Sequence, residues 1–160
     1  FSKLGHGSKF QVFWPIIEQN ISPDDFMKKK IDLFTGTEKI MLVDDEPDIL
    51  KTLQIFLERR GYKTKVFNDG KSALKAFIKS PDYFDIIVTD MTMPHMAGDK
   101  LSKEILKRRK NMPIILCTGF SETISEDKAL GMGICKYVQK PITGADLTAL
   151  IREVLDNKKN

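Results

Sequence analysis

From Lys39 to Leu155, short apolar runs alternate with stretches of helical period, and nothing else in the chain narrows its possible folds as much. Ile40–Val43, Lys63–Phe67, Asp85–Thr89, Ile114–Cys117 and Cys135–Val138 read as strands. Between the first two, Ile49, Leu50, Leu53, Phe56 and Leu57 trace one helical stripe. Further helices are predicted over Asp69–Lys79, Ala97–Arg109, Glu122–Leu130 and Gly144–Asp156, with Gly61, Pro81, Gly131 and Gly133 as breaks. Strict alternation of this kind implies right-handed crossovers and a parallel sheet covered on both faces. The runs Ile40–Val43 and Ile86–Val88, apolar at every position, fit its central strands. The expected class is a doubly wound α/β fold with (βα)5 order.

In such a sheet, ligands bind beyond the carboxyl ends of the strands. Asp44, Asp45 and Glu46 directly follow the first predicted strand and Asp90 the third, so these carboxylates are expected to converge on one rim. Two carboxylates ~4 Å apart repel by about 4 kcal/mol at an effective dielectric of 20, which argues for a neutralising cation. Oxygen ligands without His or Cys favour Mg²⁺, which bridges one or two carboxylates to a phosphate and keeps several waters. Thr118 and Lys140, at the ends of the fourth and fifth strands, add a hydroxyl and a cation to the rim. The set suits in-line phosphoryl transfer to a carboxylate nucleophile, and Asp90, the lone acid between the acidic pair and the lysine, is the nucleophile candidate. Taken singly, each group has a plainer reading: a helix N-terminal charge, a turn hydroxyl, a surface lysine.

Together, "KIMLVDDEPDIL", "DIIVTDMTMPHMAG", "ILCTGF" and "YVQKP" resemble the receiver domain of two-component response regulators over about 120 residues. The resemblance implies a flavodoxin-like receiver fold, a five-stranded parallel sheet of order 2-1-3-4-5. It implies that Asp90 is the phosphoacceptor and that Asp44, Asp45, Asp90 and the Thr92 backbone carbonyl hold Mg²⁺. It further implies that Lys140 pairs with a phosphoryl oxygen, and that Thr118 and Tyr137 form the switch. No other cofactor is implied. The phosphoryl group would come from a phosphohistidine, to be passed on or used to change the domain surface. Implied partners are a histidine kinase domain, in cis or in trans, and a histidine phosphotransfer protein. Met91, Met93 and Met96 read equally as core filling or as an adaptable surface.

Upstream, "GHGSKFQVFWP" is similar to the closing strand of the ATP-binding domain of sensor histidine kinases, with Gly5, Gly7, Ser8, Phe10 and Pro15 matching. That resemblance implies a hybrid histidine kinase as parent. Residues 1–16 are then a kinase remnant, 17–37 a linker, 38–157 the receiver and 158–160 a tail. Ser22-Pro23-Asp24-Asp25, ahead of Phe26, Met27, Ile31 and Phe34, predicts a short linker helix. The start at Phe1, without a signal segment, reads as a fragment. The apolar arm of Phe10, Val12, Phe13 and Trp14 would allow two copies to pair.

A net charge of +4 is spread over lysine clusters with no helix-turn-helix or aromatic-basic surface, so solvated helix faces are expected and nucleic acid is not. No apolar run reaches membrane-spanning length, which places this part of the chain in the cytoplasm even if the parent kinase is membrane-attached. Cys117 and Cys135, outside any CxxC or Cys/His cluster, are expected as reduced core thiols. The competing functions are a vestigial receiver that only binds proteins and a metal-dependent phosphohydrolase. The second would need an acid two residues after Asp90, where Thr92 stands.

Overall fold

The computed structural model describes residues 2–3, 7–8, 35–119 and 125–157. Two compact units divide the chain at residues 30 and 31. In the first, Ser2–Lys3 pairs antiparallel with Gly7–Ser8. The linker helix, the arm around Trp14 and the tail lie outside the described residues.

The second unit runs β1 (Lys39–Val43), α1 (Pro47–Glu58), β2 (Lys63–Phe67), α2 (Gly70–Lys79), β3 (Ile86–Asp90), α3 (Gly98–Arg108), β4 (Ile114–Thr118), α4 (Glu126–Gly131), β5 (Lys136–Gln139) and α5 (Gly144–Asn157). The sheet is parallel, in the order β2-β1-β3-β4-β5, which is the expected 2-1-3-4-5. Period-2 alternation splits each central strand between two cores. Ile40, Leu42, Ile86, Val88 and Cys117 face α1 and α5 through Leu50, Leu57, Leu147 and Ile151. Met41, Val43 and Ile87 face α2 and α3 through Phe77, Leu101 and Ile105. Both layers are fully dry at their centres, so the sheet is a rigid mount for whatever its strand ends carry.

Several boundaries differ from expectation for local reasons. Asp69 caps α2 instead of joining it, its carboxylate accepting the Lys71 and Ser72 amides at 2.9 and 2.8 Å. The described part of α4 starts at Glu126, and residues 120–124, where the sequence predicts its first turn, are outside the description. Cys135 precedes β5 and is exposed, which corrects its reading as a core thiol; only Cys117 is buried. A residue beside an apolar strand shares its composition without sharing its facing. Met91 and Met93 are buried and Met96 packs against the α2–α3 core, which settles the methionine loop as core filling.

Candidate functional site

Asp90 is the last residue of β3, in register with Cys117 of β4. The sequence places it just past the strand because the apolar signal stops at Thr89. The backbone continues the ladder one residue further, with the Met91 amide donating to the Cys117 carbonyl at 2.7 Å. Asp90 and Asp44 are each only 6 % exposed. Lys140, immediately after β5, reaches back so that its Nζ lies 2.8 Å from Asp44 Oδ2 and 2.5 Å from Asp90 Oδ1. The Thr92 amide donates to Asp90 Oδ2 at 2.7 Å, and the Glu46 amide donates to Asp44 Oδ1 at 2.9 Å. All four oxygens of the buried pair are therefore engaged.

The four acids differ in burial. Asp44 and Asp90 meet on Lys140, while Asp45 and Glu46 remain exposed. The Glu46 amide and Lys140 turn Asp44 inward, and the chain then starts α1 with Glu46 as N-cap and Pro47 in its first turn. Among the described residues, no three His, Cys, Asp or Glu side chains gather closely enough to form a metal cage. The donor set nonetheless fits Mg²⁺. It offers only oxygens at the rim, carries three acids against one lysine, and includes Asp45, whose exposed carboxylate no described hydrogen bond engages. An ion that keeps most of its waters needs one or two such carboxylates rather than a cage.

Burial raises the Asp90 pKa above its ordinary value; the hydrogen bond and charge of Lys140 oppose this, and the Asp44 charge adds to it. Burial works against the charge on Lys140, but the hydrogen bonds to Asp44 and Asp90 and their charges outweigh it, and its pKa rises. The lysine is thus held as a cation across two acids at neutral pH. Burial also pushes the Cys117 thiol up to about 12, which leaves it protonated and unreactive.

Thr118 ends β4 almost fully buried, its hydroxyl donating to the Gly119 carbonyl at 2.9 Å. The Tyr137 hydroxyl, from β5, donates to Thr118 Oγ1 at 3.2 Å. The Lys140 amide donates to the Thr118 carbonyl at 2.7 Å, and the Lys140–Pro141 peptide is cis. Threonine, tyrosine and lysine are therefore tied into one network beside Asp90.

Two backbone features of the loop and helix that follow Asp90 escape sequence reasoning. Gly98 opens α3 against the Asp90 backbone, where a Cβ would overlap the Asp90 carbonyl oxygen, and its amide donates to Met91 at 2.9 Å. His95 sits at φ 66°, a left-handed conformation that costs a side-chain-bearing residue about 1 to 3 kcal/mol. A glycine after a Met-rich loop hints at the first, and no pattern signals the second.

Residues 40–152 match the response regulator receiver domain model. The sensory transduction protein RegX3 of Mycolicibacterium smegmatis is 34% identical over 116 residues, covering 72% of this chain and 50% of that protein. The alkaline phosphatase synthesis transcriptional regulatory protein PhoP of Bacillus subtilis is 33% identical over 119 residues, covering 74% and 48%. The two-component response regulator ORR22 of Oryza sativa is 31% identical over 132 residues, but the match spans only 19% of its length. A solved receiver domain from Clostridium thermocellum superposes with a TM-score of 0.72 at 30% identity, over 76% of this chain and 97% of that one. With strand order, rim and sequence in agreement, the chain belongs to the response regulator receiver family of two-component phosphorelay signalling.

Proposed function

We propose that Asp90 accepts a phosphoryl group from a phosphohistidine in a Mg²⁺-dependent reaction, and that Thr118 and Tyr137 convert the gained charge into a change of surface. The observation that carries the proposal is the single lysine held between two buried carboxylates at three strand ends. In the step, an Asp90 carboxylate oxygen bonds to phosphorus, the phosphorus–imidazole nitrogen bond breaks, and the leaving imidazole takes a proton from solvent. Asp90 must be ionised to attack; Lys140 and the Thr92 amide favour the ionised form, and burial opposes it. Once Asp90 carries the phosphoryl group as an acyl phosphate, Lys140 is free to pair with a phosphoryl oxygen. Thr118 can turn its hydroxyl from Gly119 to a second oxygen, which alters the bond it receives from Tyr137.

Receiver domains bind Mg²⁺ for phosphorylation. Here Asp44, Asp45, Asp90 and the Thr92 carbonyl would hold it, and the ion would neutralise the charge gathering on the phosphoryl oxygens. Receiver domains work with histidine kinases and phosphotransfer proteins. For this chain a hybrid sensor kinase is the proposed parent, supported by Gly5, Gly7 and Ser8 and by the antiparallel pairing of Ser2–Lys3 with Gly7–Ser8. The chain spans about a fifth to a half of the length of these relatives, so the rest of any parent protein is part of that proposal. No described helix is long and apolar enough to cross a membrane, and a cytoplasmic location is proposed with the kinase partner. Pairing of two copies through the arm around Trp14 is testable by light scattering at high concentration, where a monomeric mass removes it.

Intact mass spectrometry after incubation with phosphoramidate and Mg²⁺ tests the central claim. One phosphoryl mass should appear in the native chain and be absent both in Asp90→Asn and with EDTA. A gain that survives Asp90→Asn would move the acceptor elsewhere.

A further inference from the structure

A cleft of about 640 Å³ begins at Asp90 and Lys140 and runs between α1 and the loop from Pro141 to Gly144. This volume lies within the range of small-ligand pockets. The charged groups on its lining are Asp44, Asp48, Asp90 and Lys140. The apolar walls are Ile49 and Leu53 of α1 facing Ile142 of the loop, and Leu42, Val88 and Cys117 of the sheet form the floor. Ile49, Leu53 and Ile142 are only half-buried, so the apolar surface they leave uncovered is the surface of the cleft. Phosphoryl transfer by itself needs the charged end only; an apolar extension continuous with it offers a place for what the phosphorus carries.

We propose that this cleft receives the leaving group of small phosphodonors, so that the domain favours acyl phosphates whose acyl part is apolar and larger than acetyl. The inference rests on Asp90 being the phosphoacceptor. The Asp90 oxygen bonds to phosphorus, the bond from phosphorus to the bridging acyl oxygen breaks, and the electron pair departs with the carboxylate. No proton, oxidant or reductant is needed. Donor charge sits at the Lys140 end and the ring or chain lies on Ile49, Leu53 and Ile142, where each buried methylene is worth about fourfold in affinity.

The test compares acetyl phosphate with benzoyl phosphate on the full chain with Mg²⁺, following phosphoryl mass against time. Each rate is divided by that donor's rate with a small carboxylate in solution. Benzoyl phosphate should lead by about tenfold after this correction, and the lead should collapse in Leu53→Trp, which fills the cleft. Phosphoramidate labelling of that variant reports whether its acceptor site survived. Independently of turnover and of any variant, calorimetry should show phenylphosphonate binding about tenfold tighter than methylphosphonate. Equal corrected rates, or equal phosphonate affinities, in a chain that phosphoramidate labels would overturn the cleft assignment and leave the acceptor reading standing. Failure of phosphoramidate to label Asp90 would overturn both.

Discussion

Strand β1 carries an ion cluster at each end, and the two differ in a way that separates a reactive site from a fastening. At its amino end, Glu38 pairs with Arg152 of α5 at 2.6 Å, and the guanidinium lies 5.8 Å from the Tyr62 ring centre. That is one half-buried acid for one base; Asp156 Oδ1 lies 3.9 Å from the same guanidinium, but its side chain is 60 % exposed. Yet Glu38 Oε2, Tyr62 Oη and Arg152 Nε are buried there without a partner among the described residues. At the carboxyl end every oxygen of Asp44 and Asp90 is hydrogen-bonded, but two acids share one lysine. Away from solvent, the amino end is balanced in charge and short of hydrogen bonds; the carboxyl end is saturated in hydrogen bonds and unbalanced in charge. Excess charge, not unmet hydrogen bonding, is what invites a divalent ion and a phosphoryl group. Glu38 and Arg152 instead fasten the chain entering β1 to the last helix.

Removing the cation at each end should break this symmetry most visibly. Lys140→Met strands two buried carboxylates, and loss of one partner from a buried ion pair costs 3 to 5 kcal/mol in the general case. Lys140 keeps 24 % of its side chain exposed, so about 2 to 4 kcal/mol is expected in urea unfolding at pH 7. Most of that loss should return in Lys140→Met with Asp90→Asn. Arg152→Met strands Glu38, Asp156 being solvated, and should cost about 1 to 3 kcal/mol. If Arg152→Met proves the more damaging, the charge-excess account of the carboxyl end is wrong.

A smaller effect sharpens the contrast through two close-packed glycines. A Cβ on Gly98 would overlap the Asp90 carbonyl oxygen and lie 2.8 Å from Leu116 Cδ1. Backbone cannot step aside, so Gly98→Ala should cost about 1 to 3 kcal/mol and slow Asp90 phosphorylation as the acceptor shifts. At Gly36 a Cβ would meet the Glu38 carboxylate and the Tyr62 ring, both side chains. The Tyr62 ring is buried and Glu38 is held by Arg152, so Gly36→Ala should also cost about 1 to 3 kcal/mol, but it should leave the phosphorylation rate alone. A slowed rate in Gly36→Ala would mean that the two ends of β1 communicate.

The carboxyl end was largely legible in the sequence and the amino end was not. Apolar runs place Asp44, Asp90, Thr118 and Lys140 because strand termini convert sequence position directly into location on a parallel sheet. That rule yields the rim but not the orientation of side chains on it. Asp44 and Asp45 are adjacent letters, yet one is buried and the other exposed, because the Glu46 amide and Lys140 turn Asp44 inward. Cys135 misled for the same reason, since a residue beside a strand gains no facing from its neighbours. Glu38 and Arg152 are 114 residues apart and follow no local period, so only the folded chain brings them together. The Thr118–Tyr137 bond is intermediate, because the strand ends imply proximity but the register of β4 and β5 decides it.

The weakest effect is also the one in which the two ends should move in opposite directions, with acid as the probe. Burial raises the pKa of Glu38, but its hydrogen bond from Arg152 prevails and the folded value falls below the ordinary 4.5. The unfolded chain therefore binds this proton more readily, so the stability Glu38 contributes is present above pH 4.5 and is lost as pH falls through the folded value. Asp90 has the reverse sign. Its folded pKa lies above the ordinary 3.8 because burial penalises the charge, so the cost of ionising it in the fold is relieved as pH falls through the folded value towards 3.8. In urea titrations repeated from pH 6 down to pH 3.5, Glu38→Gln should flatten the acid loss of stability, while Asp90→Asn should steepen it by removing a compensating gain. Each change should stay below about 1 kcal/mol, since Glu38 retains contact with solvent and Lys140 offsets part of the burial of Asp90. A steeper acid loss in Glu38→Gln would show that Arg152 does not hold Glu38 ionised, and the fastening at the amino end of β1 would then rest on Tyr62 and backbone bonds alone.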